Sequence, residues 1–202
     1  MKIGIFIAFL AVLFAFTISS ADDADLRVIY DKANDSFNEG NYDSAIRDYT
    51  IVLSKHPDFI EAYYSRGQAY YRKGRLDDAI SDFSRVVISN PGQSDVLNSR
   101  GLAFLKKNDY EKAAYDFTKV ISLNPGFIDA YYNRGIAYRG LGKYDLAIED
   151  YNKVLSLRPG DSNIFTSRGI AYLNKAIADF KYACELGSKA ACDNLKEVSG
   201  KK

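Results

Sequence analysis

The sequence predicts an all-α solenoid of stacked antiparallel helix pairs. Three observations carry that expectation. One pattern recurs with a 34-residue period along most of a 202-residue chain. Each copy holds two apolar stretches at helical spacing, and one such pair cannot bury both its faces alone, so neighbours must stack. The four prolines, Pro57, Pro91, Pro125 and Pro159, all close copies, where a residue that clashes inside a helix does no harm.

From the N-terminus, Lys2 precedes an apolar run from Ile3 to Ile18, and Ser19-Ser20-Ala21 then offers small residues before Asp22-Asp23. This is the form of a secretory signal peptide, residues 1–21, cleaved after Ala21. The alternative is an uncleaved membrane anchor, for which sixteen apolar residues are short of the about 20 a span needs. No Cys lies near the cut, which argues against a lipid anchor. The chain is therefore expected to be exported, periplasmic or secreted, with membrane contact only through this segment if it stays. Without it the chain carries 26 basic and 26 acidic residues. A neutral balance argues against nucleic acid, which needs a basic footprint, and against a polybasic membrane surface.

The copies run 26–59, 60–93, 94–127 and 128–161, with a shortened fifth at 162–187 and a predicted capping helix and tail over 188–202. The repeat domain thus spans 22–187. The second copy reads Ala62-Tyr63-Tyr64-Ser65-Arg66-Gly67-Gln68-Ala69-Tyr70, and the fourth reads Ala130-Tyr131-Tyr132-Asn133-Arg134-Gly135-Ile136-Ala137-Tyr138. Between the two helices of each copy stand Gly40-Asn41, Gly74-Arg75, Asn108-Asp109 and Gly142-Lys143, which suit a helix end and a turn. A small residue recurs in the first helix (Ala33, Gly67, Gly101, Gly135, Gly169) and another in the second (Ala45, Ala79, Ala113, Ala147, Ala176). A large ring follows the latter: Tyr49, Phe83, Phe117, Tyr151 and Phe180.

This period and pattern resemble the tetratricopeptide repeat, over about residues 26–187. The resemblance implies a right-handed superhelix whose first helices line a concave face where ligands lie. Carried over by repeat phase, that lining comprises Tyr30, Asn34, Tyr64, Gln68, Tyr71, Asn98, Leu102, Leu105, Tyr132, Asn133, Ile136 and Arg139. Aromatic and amide side chains together suit an extended peptide, since rings give contact area and amides pair with its backbone. One subgroup of the family clamps a C-terminal carboxylate with Lys and Asn. Asn34 fits one clamp position, but Tyr30, Asp95 and Ser99 stand where basic residues are expected, so that mode is not implied here.

A basic residue precedes each small residue of the first helix (Lys32, Arg66, Arg100, Arg134, Arg168), and an Asp precedes each ring (Asp48, Asp82, Asp116, Asp150, Asp179). The basic residues could form a stripe for acidic ligands. The one-to-one count instead favours structural ion pairs such as Arg66–Asp82, Arg100–Asp116 and Arg134–Asp150, within or between repeats.

In the fifth copy only seven positions separate Gly169 from Ala176, against twelve from Gly135 to Ala147. The missing residues are those of the turn. A fused helix over about 163–186 is expected, with Phe165, Gly169, Tyr172, Ala176, Phe180, Ala183 and Gly187 as its apolar stripe. Gly187 should end it and Ser188 should cap a last short helix. Cys184 and Cys192 are the only cysteines. In an exported chain they fit a disulfide, and two buried thiols are the alternative. The stretch from Ala183 to Cys192 resembles the joint of Sel1-like repeats, which implies the disulfide.

No catalytic constellation is present. His56 is the single histidine and sits before Pro57 at a repeat end. One His and two distant Cys cannot make a zinc site, and no phosphate-binding loop or nucleophile elbow occurs. Asn34-Asp35-Ser36 is a formal glycosylation sequon inside a predicted helix. No enzyme activity, cofactor or metal is expected; the expected role is an interaction scaffold with a protein or peptide partner, and the alternative is a structural self-assembly module of the cell envelope.

Overall fold

The computed structural model describes residues 24–200, and the predicted signal segment lies outside them. The described residues form ten helices and no strand, in two units that divide after Pro91. The first unit holds α1 over 24–38, α2 Tyr42–Lys55, α3 Ile60–Arg72 and α4 Leu76–Ser89. The second holds α5 Ser94–Lys106, α6 Tyr110–Leu123, α7 Ile128–Gly140, α8 Tyr144–Leu157, α9 Ser162–Glu185 and α10 Lys189–Ser199.

The turns follow from the chemistry of their residues. Gly40, Gly74 and Gly142 adopt φ of 81°, 75° and 71°, and Asn108 takes the same left-handed place at 60°. That conformation lets the chain reverse while satisfying the last carbonyls. After α3, the Gly74 N–H donates to the Tyr71 carbonyl and the Arg75 N–H to that of Tyr70. The second helix of each repeat stops before proline, because a residue preceding proline is excluded from helical backbone. His56, Asn90, Asn124 and Arg158 accordingly leave the helix with ψ of 80°, 90°, 89° and 72°.

Within each unit, consecutive helices are packed neighbours: α2, α3 and α4 in the first, α5 through α10 in the second. The core of the first unit gathers Ala33, Ala45, Ile46, Tyr49 and Ala69, joined by Val52, Leu53 and Ala62. That of the second includes Ala147, Ile148, Tyr151, Val154, Leu155, Ile164 and Ala171. The small-and-ring pairing is direct. A Cβ on Gly67 would lie 2.8 Å from the Phe83 ring, one on Gly101 2.9 Å from Phe117, and one on Gly135 2.7 Å from Tyr151. Each ring is fully buried, so it has no room to move aside.

The fifth copy runs straight through. α9 continues past Asn174 and Lys175 as a single 24-residue helix. Gly187, at φ of 94°, ends it. The Ser188 hydroxyl accepts the Ala191 N–H to start α10, and a disulfide joins Cys184 to Cys192. The expected packing face needs correction, however. α9 lies on α8 through Ile164 and Ala171, while Phe165 and Tyr172 of the expected stripe are about half exposed. The period was right. The stripe is the face that a first helix turns toward its own second helix; no helix covers it from Phe165 to Tyr172, and α10 packs back on α9 further along.

Candidate functional site

The Arg–Asp pairs lie within repeats. Arg66, Arg100 and Arg134 each grip the carboxylate of the following helix with two parallel bonds, from Nε and Nη2, of 2.7–2.9 Å. The aspartates are buried, at 5% exposure for Asp82, 1% for Asp116 and 4% for Asp150. Burial pushes each above the ordinary carboxylate range, and the facing arginine opposes that rise. In Arg66 and Arg134 the remaining guanidinium arm reaches the preceding repeat, donating to Thr50 and Thr118 respectively. All three arginines hold the two helices of one repeat together, and these two also register their repeat on the previous one. A stripe that offers its charge to a ligand is not what they form.

The predicted lining residues all sit on first helices and are all half-buried. In the first unit, Asn34, Tyr64 and Gln68 line one cleft of about 400 Å³, with Phe37, Tyr49 and Arg72 beside them. The cleft is bonded internally. The Tyr49 hydroxyl donates to Asn34 Oδ1 at 2.7 Å, and Gln68 Nε2 donates to the Tyr64 hydroxyl at 2.8 Å. Burial pushes the Tyr49 phenol up to about 12, with the nearby Ser65 hydroxyl opposing. Asn34, the sequon residue, is thus engaged inside α1. Tyr30 lines a second cleft with Val52, His56 and Phe59. Its ring lies 4.8 Å from that of Phe59, and its hydroxyl is 3.1 Å from Ser65 of the next repeat.

In the second unit, the same inter-repeat contact recurs between Tyr132 and Ser167, and Tyr132 lines a cleft with Asp129, Arg158 and Asp161. Its ring is tilted against Tyr151, as Tyr64 is against Phe83. The tyrosines thus belong half to the core and half to the open face. Asn98 Oδ1 is buried with no hydrogen-bond partner among the described residues. Burial raises the Tyr151 phenol, and the side-chain hydrogen bond and charge of the facing Arg139 oppose that rise. Leu102, Leu105, Asn133 and Ile136 complete the half-buried set. The sequence reading stopped one repeat early: Ile170 and Leu173 repeat the positions of Ile136 and Arg139 and are 40% and 48% exposed.

No group of three or more His, Cys, Asp or Glu is placed to hold a metal among the described residues, and no described helix is long and apolar enough to cross a membrane.

Two family models described as Tetratricopeptide repeat match residues 30–94 and 128–161, and a third, described as TPR repeat, matches 101–141. This chain belongs to the tetratricopeptide-repeat family. No curated protein matches the sequence. Among solved structures, the crystal structure of MamA protein is 28% identical with a TM-score of 0.72, over 88% of this chain and 93% of that one. The second TPR domain of the human RPAP3 protein, solved by NMR in complex with the HSP70 peptide SGPTIEEVD, is 29% identical with a TM-score of 0.52. It aligns over 55% of this chain and 92% of its own. A tetratricopeptide repeat protein from Parabacteroides merdae shares the fold at 22% identity and a TM-score of 0.66, over 86% of this chain and 72% of that one. The tetratricopeptide-repeat chain is an all-α solenoid like these.

Proposed function

We propose that this tetratricopeptide-repeat chain is an exported scaffold that binds an extended stretch of another protein along the first helices of its repeats. The observation that carries the reading is the make-up of that face, where half-buried Asn98, Tyr132, Asn133 and Arg139 are interspersed with half-buried Leu102, Leu105 and Ile136. Amides pair with a peptide backbone, and rings and aliphatic chains give it contact area. The RPAP3 domain, bound to a peptide, supports a polypeptide ligand for this fold. A peptide ending in an acidic tail is not the ligand expected here, because Tyr30, Asp95 and Ser99 replace the clamp's basic residues. The apolar N-terminal run and the disulfide support export to an oxidising compartment.

Peptides selected from a random displayed library provide the test. The best binder should lose about tenfold in affinity by calorimetry on Asn98→Ala, the scale of one hydrogen bond to a neutral group. It should be indifferent to Tyr115→Ala on the exposed side of α6. Failure to select any binder, or equal loss from both substitutions, would reject the groove. A second reading, self-assembly, is favoured by the open face of α9.

A further inference from the structure

α9 begins as the first helix of a repeat and meets no second helix there. In α3, α5 and α7 the face that carries Arg-Gly is covered by the helix that folds back on it. Arg134 forks onto Asp150, and the Tyr151 ring lies over Gly135. Tyr131 and Tyr138, on the same face, pack on the cluster that includes Ala147, Tyr151 and Val154. The fifth copy keeps this face as Phe165, Arg168, Gly169 and Tyr172. α10 returns too far along α9 to cover it. Cys192 is tied to Cys184, and from there to Ser199 the helix runs back only about 10 Å, to about the level of Ile177.

The consequences are visible at each of the four residues. Nothing lies within 4 Å of a Cβ built on Gly169, although Gly67, Gly101 and Gly135 are closed over by rings. Arg168 bonds Asn152 of the preceding repeat with one arm and lies over the Phe165 ring, but among the described residues no carboxylate takes its other edge. Phe165 and Tyr172 are 48% and 52% exposed, where Leu97 and Phe104 at the same repeat positions are buried. The open patch is two helical turns long, about 11 Å from Phe165 to Tyr172. The stretch of α8 that covers its equivalent, from Ala147 to Val154, has the same length.

We propose that this patch docks an amphipathic helix of a partner protein and so completes the fifth repeat in trans. The helix carries a small residue, an Asp-aromatic pair and a branched apolar residue at the spacing of Ala147, Asp150-Tyr151 and Val154. Each feature answers one on α9. The ring seats on the bare Gly169 backbone, and the carboxylate takes the remaining edge of Arg168, a fork that the chain already makes at Arg66, Arg100 and Arg134. The small and branched residues rest on Tyr172 and Phe165, as a helix laid on an apolar face does. The chain has no spare donor of its own among the described residues. Tyr49, Phe83, Phe117 and Tyr151 are buried in their repeats, and Phe180 is half-buried where α10 packs. A different protein must therefore supply the helix. This surface is separate from the proposed peptide groove, and the inference does not rest on that groove.

The probe is a fluorescent synthetic peptide with the sequence of residues 144–157. A lactam bridge joins its Glu149 and Lys153 side chains, which are exposed in α8 and four residues apart, so that the short helix is formed in advance. Titrated with the full chain, the peptide should bind one to one by fluorescence anisotropy. Gly169→Leu should weaken binding about tenfold or more. Its helical circular dichroism should be unchanged, because the added side chain meets nothing within the chain. Arg168→Asp in the chain and Asp150→Arg in the peptide should each weaken binding, and the two together should restore it. No binding with the chain at up to about 1 mM overturns the proposal. So does binding indifferent to Gly169→Leu, or a charge-reversed pair as weak as either single change. Sedimentation equilibrium of the chain alone should show no self-association that Gly169→Leu dissolves; such association would give the patch to a second copy and overturn the proposal as well.

Discussion

Gly101→Leu is expected to destabilise the protein by about 3 kcal/mol, at the upper end for overpacking. The first added carbon alone would lie 2.9 Å from Phe117 Cε1 and 3.0 Å from its Cζ. A clash with the tip of a flexible surface chain would be relieved by rotation. Phe117 is fully buried, so relief requires separating α5 from α6 and opening the Arg100–Asp116 fork at the next residue. Denaturant unfolding measures the change directly. Gly169→Leu is the internal control. It stands at the same repeat position with open space around it, and it should lose no stability. A loss below about 0.5 kcal/mol at Gly101, the scale of an ordinary surface substitution, would contradict the packing described.

Asp116→Ala is expected to cost about 3 kcal/mol. Removal of the carboxylate takes away two bonds of 2.7 and 2.8 Å and the countercharge of a guanidinium that is only 14% exposed. The penalty comes mostly from that lost countercharge, so the pair should be strongly non-additive. Arg100→Ala and Asp116→Ala together should cost less than the sum of the two alone, by about 1 kcal/mol or more. Lys32→Ala, at the weaker first pair where the lysine is 72% exposed and 3.3 Å away, should be close to neutral. Additive losses at Arg100 and Asp116 would mean that the fork contributes no coupling.

The repeat made most of the fold legible. A 34-residue period fixes which positions meet, because every copy must solve the same packing problem. Gly67, Gly101 and Gly135 and their rings were readable for that reason. The recurrence of Arg and Asp announced a pair but could not place it, since stacking brings each arginine near two repeats. For Arg66 and Arg134 the structure assigns two of the arms to their own repeat and one to the previous one. Gly140 was not readable at all. A Cβ there would lie 2.7 Å from the Tyr110 ring, yet the other copies carry Asn38, Arg72, Lys106 and Asn174 at that position. A close approach that occurs once leaves no periodic trace. In α9 the helix was readable from its missing turn, but its buried face was not. Periodicity marks an apolar stripe without saying whether its partner is still present.

Site-specific photo-crosslinking from two tyrosine positions tests the central claim, that the first helices form the binding face. A photoreactive residue at Tyr132, half-buried between Tyr151 and Ser167, is expected to capture a library-selected peptide. The same residue at Tyr115, 61% exposed on α6, should capture none. Efficient capture at Tyr115 with none at Tyr132 would place binding on the opposite helices and contradict the account.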